Sequence, residues 1–292
     1  MCARYLYIVL MVLVLVVCSP VVAREYNAEH ITFEIVLPDG KFNISAYLSV
    51  PSGEGPFPVV ILLHGCAGMD RATNPLSWQS LKIYSDWLKK NNFASLIIDS
   101  LGSRGISTEQ SWMLSCSNLI MGHKRTADVD GALQYLSMLR FIDQSKVVLL
   151  GQSQGASVVL NALSLKRDSQ LIAAGIAIYP PCGWEGYELS LPQRLSAPLL
   201  ILAGAKDKIT PSKFCVAYAE NVKIRRGEAF VRGAEIYVYP DALHAFDLPE
   251  YWGSTQIGEI ATPIGPVGPN PRASQDAKRR ILLFLEKELN LK

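Results

Sequence analysis

Charge is scarce in this chain, and what there is nearly cancels. Of 292 residues, 18% are charged, with 28 basic against 26 acidic and a formal net charge of +2. Without a basic block, a nucleic-acid partner is not expected. Histidine occurs only four times, no Cys-x-x-Cys is present, and His64 alone lies near a cysteine, so no metal site is expected. No internal repeat is visible either, and no boundary interrupts the pattern of the main chain body. What the sequence does have is apolar substance, 49% of it, enough for one large core.

The first 23 residues differ from the rest. Arg4 is their only charge, Leu6 to Val17 is unbroken apolar sequence, and Val21-x-Ala23 is a small-residue cleavage pattern. Residues 1–23 therefore read as a secretory signal peptide, and residues 24–292 as one exported domain, periplasmic or secreted. A retained anchor needs about 20 apolar residues, and Ser19-Pro20 interrupts the run first. No stable membrane association is expected once the leader is removed. Four cysteines then remain: Cys66, Cys116, Cys182 and Cys215. An even count in an exported chain points to two disulfides, and spacing alone does not choose among the three pairings.

Alternating residues from His30 to Leu37 and from Phe42 to Val50, separated by Pro38-Asp39-Gly40, predict an antiparallel hairpin at a sheet edge. Apolar runs follow at Phe57–Leu63, Phe93–Ile98, Val147–Leu150, Leu171–Tyr179 and Pro198–Ala203, with a short alternating strand at Glu235–Tyr239. Segments of helical period fall between them, at Trp78–Leu88, Lys124–Leu139, Ala156–Lys166 and Ser212–Val222, and Ala273–Leu291 closes the chain. Such alternation predicts an α/β fold, a mostly parallel twisted sheet with helices on both faces. Leu248 to Pro271, rich in Gly and Pro and without a period, is expected to be loop.

The chemistry centres on Gly151-Gln152-Ser153-Gln154-Gly155, which follows an apolar strand and opens a helix. In that context Gly-x-Ser-x-Gly is a nucleophile elbow: a turn too tight for neighbouring Cβ atoms, presenting the serine oxygen at a helix N-terminus. A serine needs a base, and the base needs a carboxylate to hold its tautomer. Among the histidines, His30 lies in an edge strand, His64 precedes a loop whose backbone matters more than its ring, and His123 opens a distant helix. His244 comes late, in a loop at the carboxyl end of the sheet, where ligands of such folds sit. Asp207 follows a strand in the same way, although Asp241 and Asp247 flank His244 and Asp207 could instead cap the next helix. Ser153, Asp207 and His244 are the expected catalytic residues, in serine–acid–histidine order. Backbone N–H groups of Gln154 and of Cys66, or its neighbour Ala67, are the expected oxyanion hole. A disulfide from Cys66 would keep that loop still. Arg104, in a glycine-flanked loop, is either structural or a contact for a substrate carboxylate.

Together these segments resemble the dienelactone hydrolases of the α/β-hydrolase fold. The resemblance rests on Leu63-His64-Gly65-Cys66-Ala67-Gly68, Asp99 to Gly105, Arg125-x-x-Asp128, the serine elbow, Tyr179-Pro180, Gly204-x-x-Asp207 and His244-Ala245-Phe246. It implies a Ser–Asp–His triad acting on small esters or lactones without cofactor, with serine where the founding enzymes carry cysteine. It also implies a Cys182–Cys215 bridge, as in an exported branch. Fewer than 20 residues separate Tyr179 from Pro198, too few for a lipase-like lid. A peptidase or acyltransferase with the same triad, or an exported binding protein with an inactive site, are the rival expectations.

Overall fold

The computed structural model describes residues 28–70, 75–107, 110, 122–164, 171–183, 191–249, 260–262 and 264–291. The expected leader, His123's side chain and Cys116 lie outside what it describes.

The chain begins as an antiparallel hairpin of Glu29–Leu37 (β1) and Gly40–Ser49 (β2). Ile31, Phe33 and Ile35 point inward while the residues between them face solvent, so β1 has one wet face and forms an edge. Next come Phe57–Leu63 (β3), Pro75–Lys90 (α1) and Ala94–Asp99 (β4). Gly122–Ser137 (α2), Ile142–Gln152 (β5), Gln154–Ala162 (α3) and Ile172–Ile178 (β6) follow. The later part holds Arg194–Leu195 (β7), Leu199–Gly204 (β8), Ser212–Asn221 (α4), Lys223–Arg226 (β9), Ala229–Arg232 (β10) and Glu235–Tyr239 (β11). Ile260–Thr262 (β12), Gly265–Val267 (β13) and Pro271–Glu288 (α5) complete it.

Eight strands form one sheet in the order β1-β2-β4-β3-β5-β6-β8-β11. β2 is antiparallel to both neighbours, and every pair from β4 to β11 is parallel. Because side chains alternate across a strand, β3 feeds two cores at once. Val59, Ile61 and Leu63 pack with α2, α3 and α4 on one face, and Val60 and Leu62 with α1 and α5 on the other. All five are fully buried, at about 1.5–3 kcal/mol of apolar transfer each. Helix α5 starts cleanly: the Asn270 side chain accepts from the Ala273 N–H, and Pro271 occupies the first turn, where its missing N–H costs nothing.

Two details depart from the pattern reading. β7, β9 and β10 form a separate small sheet whose strands are short and charged. The stretch expected as loop contains the β12–β13 hairpin; strands of three residues with a proline inside carry no legible period. No helix among the described residues is long and apolar enough to cross a membrane. Cys182 and Cys215 are bonded, 33 residues apart in sequence. Cys66 is disulfide-bonded as well.

Candidate active site

Ser153 stands where β5 turns into α3, with φ 53° and ψ −117°. A non-glycine residue there is strained by roughly 1–3 kcal/mol, a cost sustained only where the surroundings over-determine it. The determination is steric. A Cβ at Gly155 would collide with the Leu63 carbonyl, and one at Gly151 with the Gly155 backbone, so strand and helix approach as closely as glycine permits. Tyr179 (φ 42°) and Ala245 (φ 56°), both beside Ser153 around one cavity, are also left-handed.

His244 is buried, with Nε2 3.1 Å from Ser153 Oγ and Nδ1 2.7 Å from Asp207 Oδ2. A ring proton on Nδ1 donates to Asp207 and leaves the Nε2 lone pair toward the serine hydroxyl. Asp207 Oδ1 accepts from the N–H groups of Ile209 and Thr210, each at 2.8 Å, and the Thr210 hydroxyl lies 2.8 Å from Oδ2. Burial alone would raise this carboxyl; the facing imidazole and the Thr210 donors outweigh it and hold the group below its ordinary range. Asp207 does not cap α4, whose preceding residue, Pro211, makes no side-chain cap. Asp241 instead pairs with Lys206 at 2.9 Å on the surface.

Asp247 is fully engaged elsewhere. Its carboxylate accepts from Tyr84 Oη (3.0 Å), Gln152 Nε2 (2.8 Å) and Tyr179 Oη (2.7 Å). Burial pushes its carboxyl up in spite of these three donors. The group ties the histidine loop to α1, to the elbow and to the end of β6, since Gln152 precedes Ser153 and the Tyr179 ring packs 4.6 Å from the His244 ring. Asp247, expected only as an alternative orienter of His244, serves instead as this shared acceptor; Thr210 had no expected role, and an Asp-x-x-Thr turn after a strand was the one available signal for it.

On the other side of the elbow, Arg125 is completely buried. Its guanidinium donates to the Gln154 side-chain oxygen (2.9 Å) and to the His64 carbonyl (2.6 Å), joining elbow and glycine-rich loop. Burial lowers its pKa to about 10, still protonated at neutral pH. His64 is buried too: Nε2 accepts from the Ser100 N–H at 3.2 Å and Nδ1 lies 2.6 Å from the Gly65 carbonyl. Its ring braces two loops, and burial together with Arg125 keeps it neutral.

Gln152, Ser153, Tyr179 and His244 border a cavity of about 140 Å³ at the carboxyl ends of β3, β5, β6 and β11. Cys66 and Ala67 line it, and Gln154 opens α3 beside it. Of the two expectations for Arg104, its bonds support the structural one and not the substrate contact. Its guanidinium makes two bonds to the buried Asp128 carboxylate, at 2.9 and 2.6 Å, and a third to the Ser100 carbonyl, with 5% of the side chain exposed. A fork held by a buried carboxylate is structural.

Sheet order, elbow and a site at the strand ends define an α/β-hydrolase. The chain belongs to the dienelactone hydrolase family, whose model matches residues 44–289. It is 29% identical over 127 residues to the esterase FrsA of Klebsiella pneumoniae subsp. pneumoniae, matching 44% of this chain and 26% of that protein. It is 24% identical over 230 residues to acylamino-acid-releasing enzyme 2 of Oryza sativa subsp. japonica, matching 66% of this chain and 28% of that one. The chain thus spans little more than a quarter of the length of these curated relatives. Among solved structures, a Klebsiella pneumoniae protein assigned to the dienelactone hydrolases superposes with a TM-score of 0.64 at 20% identity, over 89% of this chain and 99% of that one. Acylaminoacyl peptidase from Pyrococcus horikoshii gives 0.60 at 16% identity, over 90% and 41%.

Proposed function

We propose that this chain is a serine hydrolase that cleaves small carboxylic esters or lactones through an acyl-enzyme on Ser153. The observation that carries the reading is the buried relay from Asp207 Oδ2 to His244 Nδ1 and from His244 Nε2 to Ser153 Oγ, at 2.7 and 3.1 Å. His244 takes the serine proton as Oγ attacks the carbonyl carbon, and Asp207 stabilises the imidazolium. The N–H groups of Cys66 and Gln154 hold the oxyanion. The tetrahedral species collapses, the leaving alkoxide takes the proton from His244, and water repeats the sequence to release the acid. Nothing in this route needs a cofactor. The disulfide-bonded cysteines support an exported setting, with residues 1–23 as the leader.

A second reading is favoured by one finding, the likeness to acylaminoacyl peptidases: the same relay would act on an acylated peptide. In either case the connection from Tyr179 to Pro198 has fewer than 20 residues, too few for a lipase-like lid at that point.

A panel of small esters, lactones and acyl-amino-acid amides separates the two. Ester or lactone turnover well above amide turnover, lost in Ser153→Ala, is the expected result. Hydrolysis by Ser153→Ala at a comparable rate would overturn the assignment.

A further inference from the structure

The β12–β13 hairpin bears on the cavity in two ways. Ile260, Ile264 and Val267 form one apolar wall of it, continued by Leu248. The hairpin is also fastened to both loops of the relay. Val267 bridges His244 in parallel register, the Gly268 N–H donates to the His244 carbonyl at 3.1 Å, and the Asn270 N–H donates to Phe246 at 2.8 Å. At the turn, Gly265 has φ +132°, and a Cβ there would lie 2.9 Å from Ile209, whose N–H holds Asp207. The wall is therefore fixed in register with Asp207 and His244 rather than hanging over them.

Resting on the hydrolase reading above, we propose that this hairpin sets the substrate class: neutral esters whose apolar part is compact, about six carbons. The size follows from the volume. A dry apolar cavity of about 150 Å³ holds a benzene ring, and this one measures about 140 Å³. The charge follows from the wall and from the arginines. A carboxylate placed against Ile260, Ile264 and Val267 loses its hydration, no lysine or arginine is among the described residues that line the cavity, and Arg104 and Arg125 are bound to Asp128, Gln154 and His64. Ile264, at the hairpin turn, is the residue that limits length.

The test uses two ester series followed by acid release: methyl alkanoates of growing acyl chain, and alkyl acetates of growing alcohol. The series that rises to about six carbons and then falls names the side that the pocket takes. An unfitting methylene in an apolar pocket costs about 10–200-fold, so the fall beyond the optimum should be at least tenfold in kcat/KM. Ile264→Ala should move it outward by two or three carbons, and Ile264→Phe should lower the ratio of six-carbon to two-carbon ester at least tenfold. On the side so named the charged ester should be at least tenfold slower: monomethyl adipate than methyl hexanoate for the acyl side, 6-acetoxyhexanoate than hexyl acetate for the alcohol side. Flat length profiles, profiles untouched by both variants, or equal rates for the charged and uncharged esters would overturn the proposal. Labelling of Ser153 by a small fluorophosphonate, run in parallel, keeps the failures apart: label without a length profile refutes the pocket alone, and neither label nor turnover refutes the hydrolase reading with it.

Discussion

Asp247 gives the sharpest energetic prediction. Asp247→Ala leaves three buried donors, the hydroxyls of Tyr84 and Tyr179 and the amide of Gln152, without the acceptor that they share. An orphaned buried donor costs about 1–3 kcal/mol, which brings the loss to roughly 3–9 kcal/mol. Removing a buried carboxylate also removes its own burial penalty, so the net loss should fall near 3–5 kcal/mol, as for other broken buried polar pairs. Asp247→Asn keeps the shape and one acceptor oxygen, and a tyrosine hydroxyl can turn to accept from the new amide; about 1–2 kcal/mol should be lost. Urea unfolding of both variants measures this as a fall in midpoint at unchanged slope. An alanine variant within about 1 kcal/mol of the parent, or an asparagine variant less stable than alanine, would refute the reasoning.

Three further outcomes follow from other parts of the fold. Breaking the Cys182–Cys215 bond, which spans 33 residues, by Cys182→Ser with Cys215→Ser should cost roughly 3–4 kcal/mol on the chain-entropy model, read as a lower unfolding midpoint. His64 is held neutral, its folded pKa depressed by burial and by Arg125, so its contribution is complete above its unfolded pKa and is lost as pH falls. As pH falls below 6.5 the parent should lose more stability than a His64→Asn variant; equal losses in paired urea titrations would contradict the assignment. Thr210→Val removes the hydroxyl 2.8 Å from Asp207 Oδ2 while sparing the backbone donors, and kcat should fall about tenfold, with KM little changed, for one lost hydrogen bond of about 1.4 kcal/mol.

Much of the fold could be read in advance because its signals are local. Continuous apolar runs such as Val59 to Leu63 mark strands buried on both faces, and the alternation at Ile31, Phe33 and Ile35 marks the edge hairpin. The positions of Ser153, Asp207 and His244 at strand ends were legible in the same way, each following an apolar run at a turn. What was not legible depends on tertiary contact. The sequence left Arg104 open between a structural role and a substrate contact, and it is Asp128, 24 residues on, that takes its guanidinium. The role of Asp247 comes from Tyr84, Gln152 and Tyr179, which no spacing links to it. The β12–β13 strands are set by pairing with each other and by contact with His244 and Ile209, not by a period of their own.

The relay itself is tested most directly by a fluorophosphonate that reacts only with an activated serine, with the adduct located by mass spectrometry. A single adduct on Ser153 is predicted, absent from Ser153→Ala and formed about 10²–10⁴-fold more slowly by His244→Ala, the range set by loss of a general base. An adduct on another residue, or undiminished labelling without the imidazole, would contradict the account.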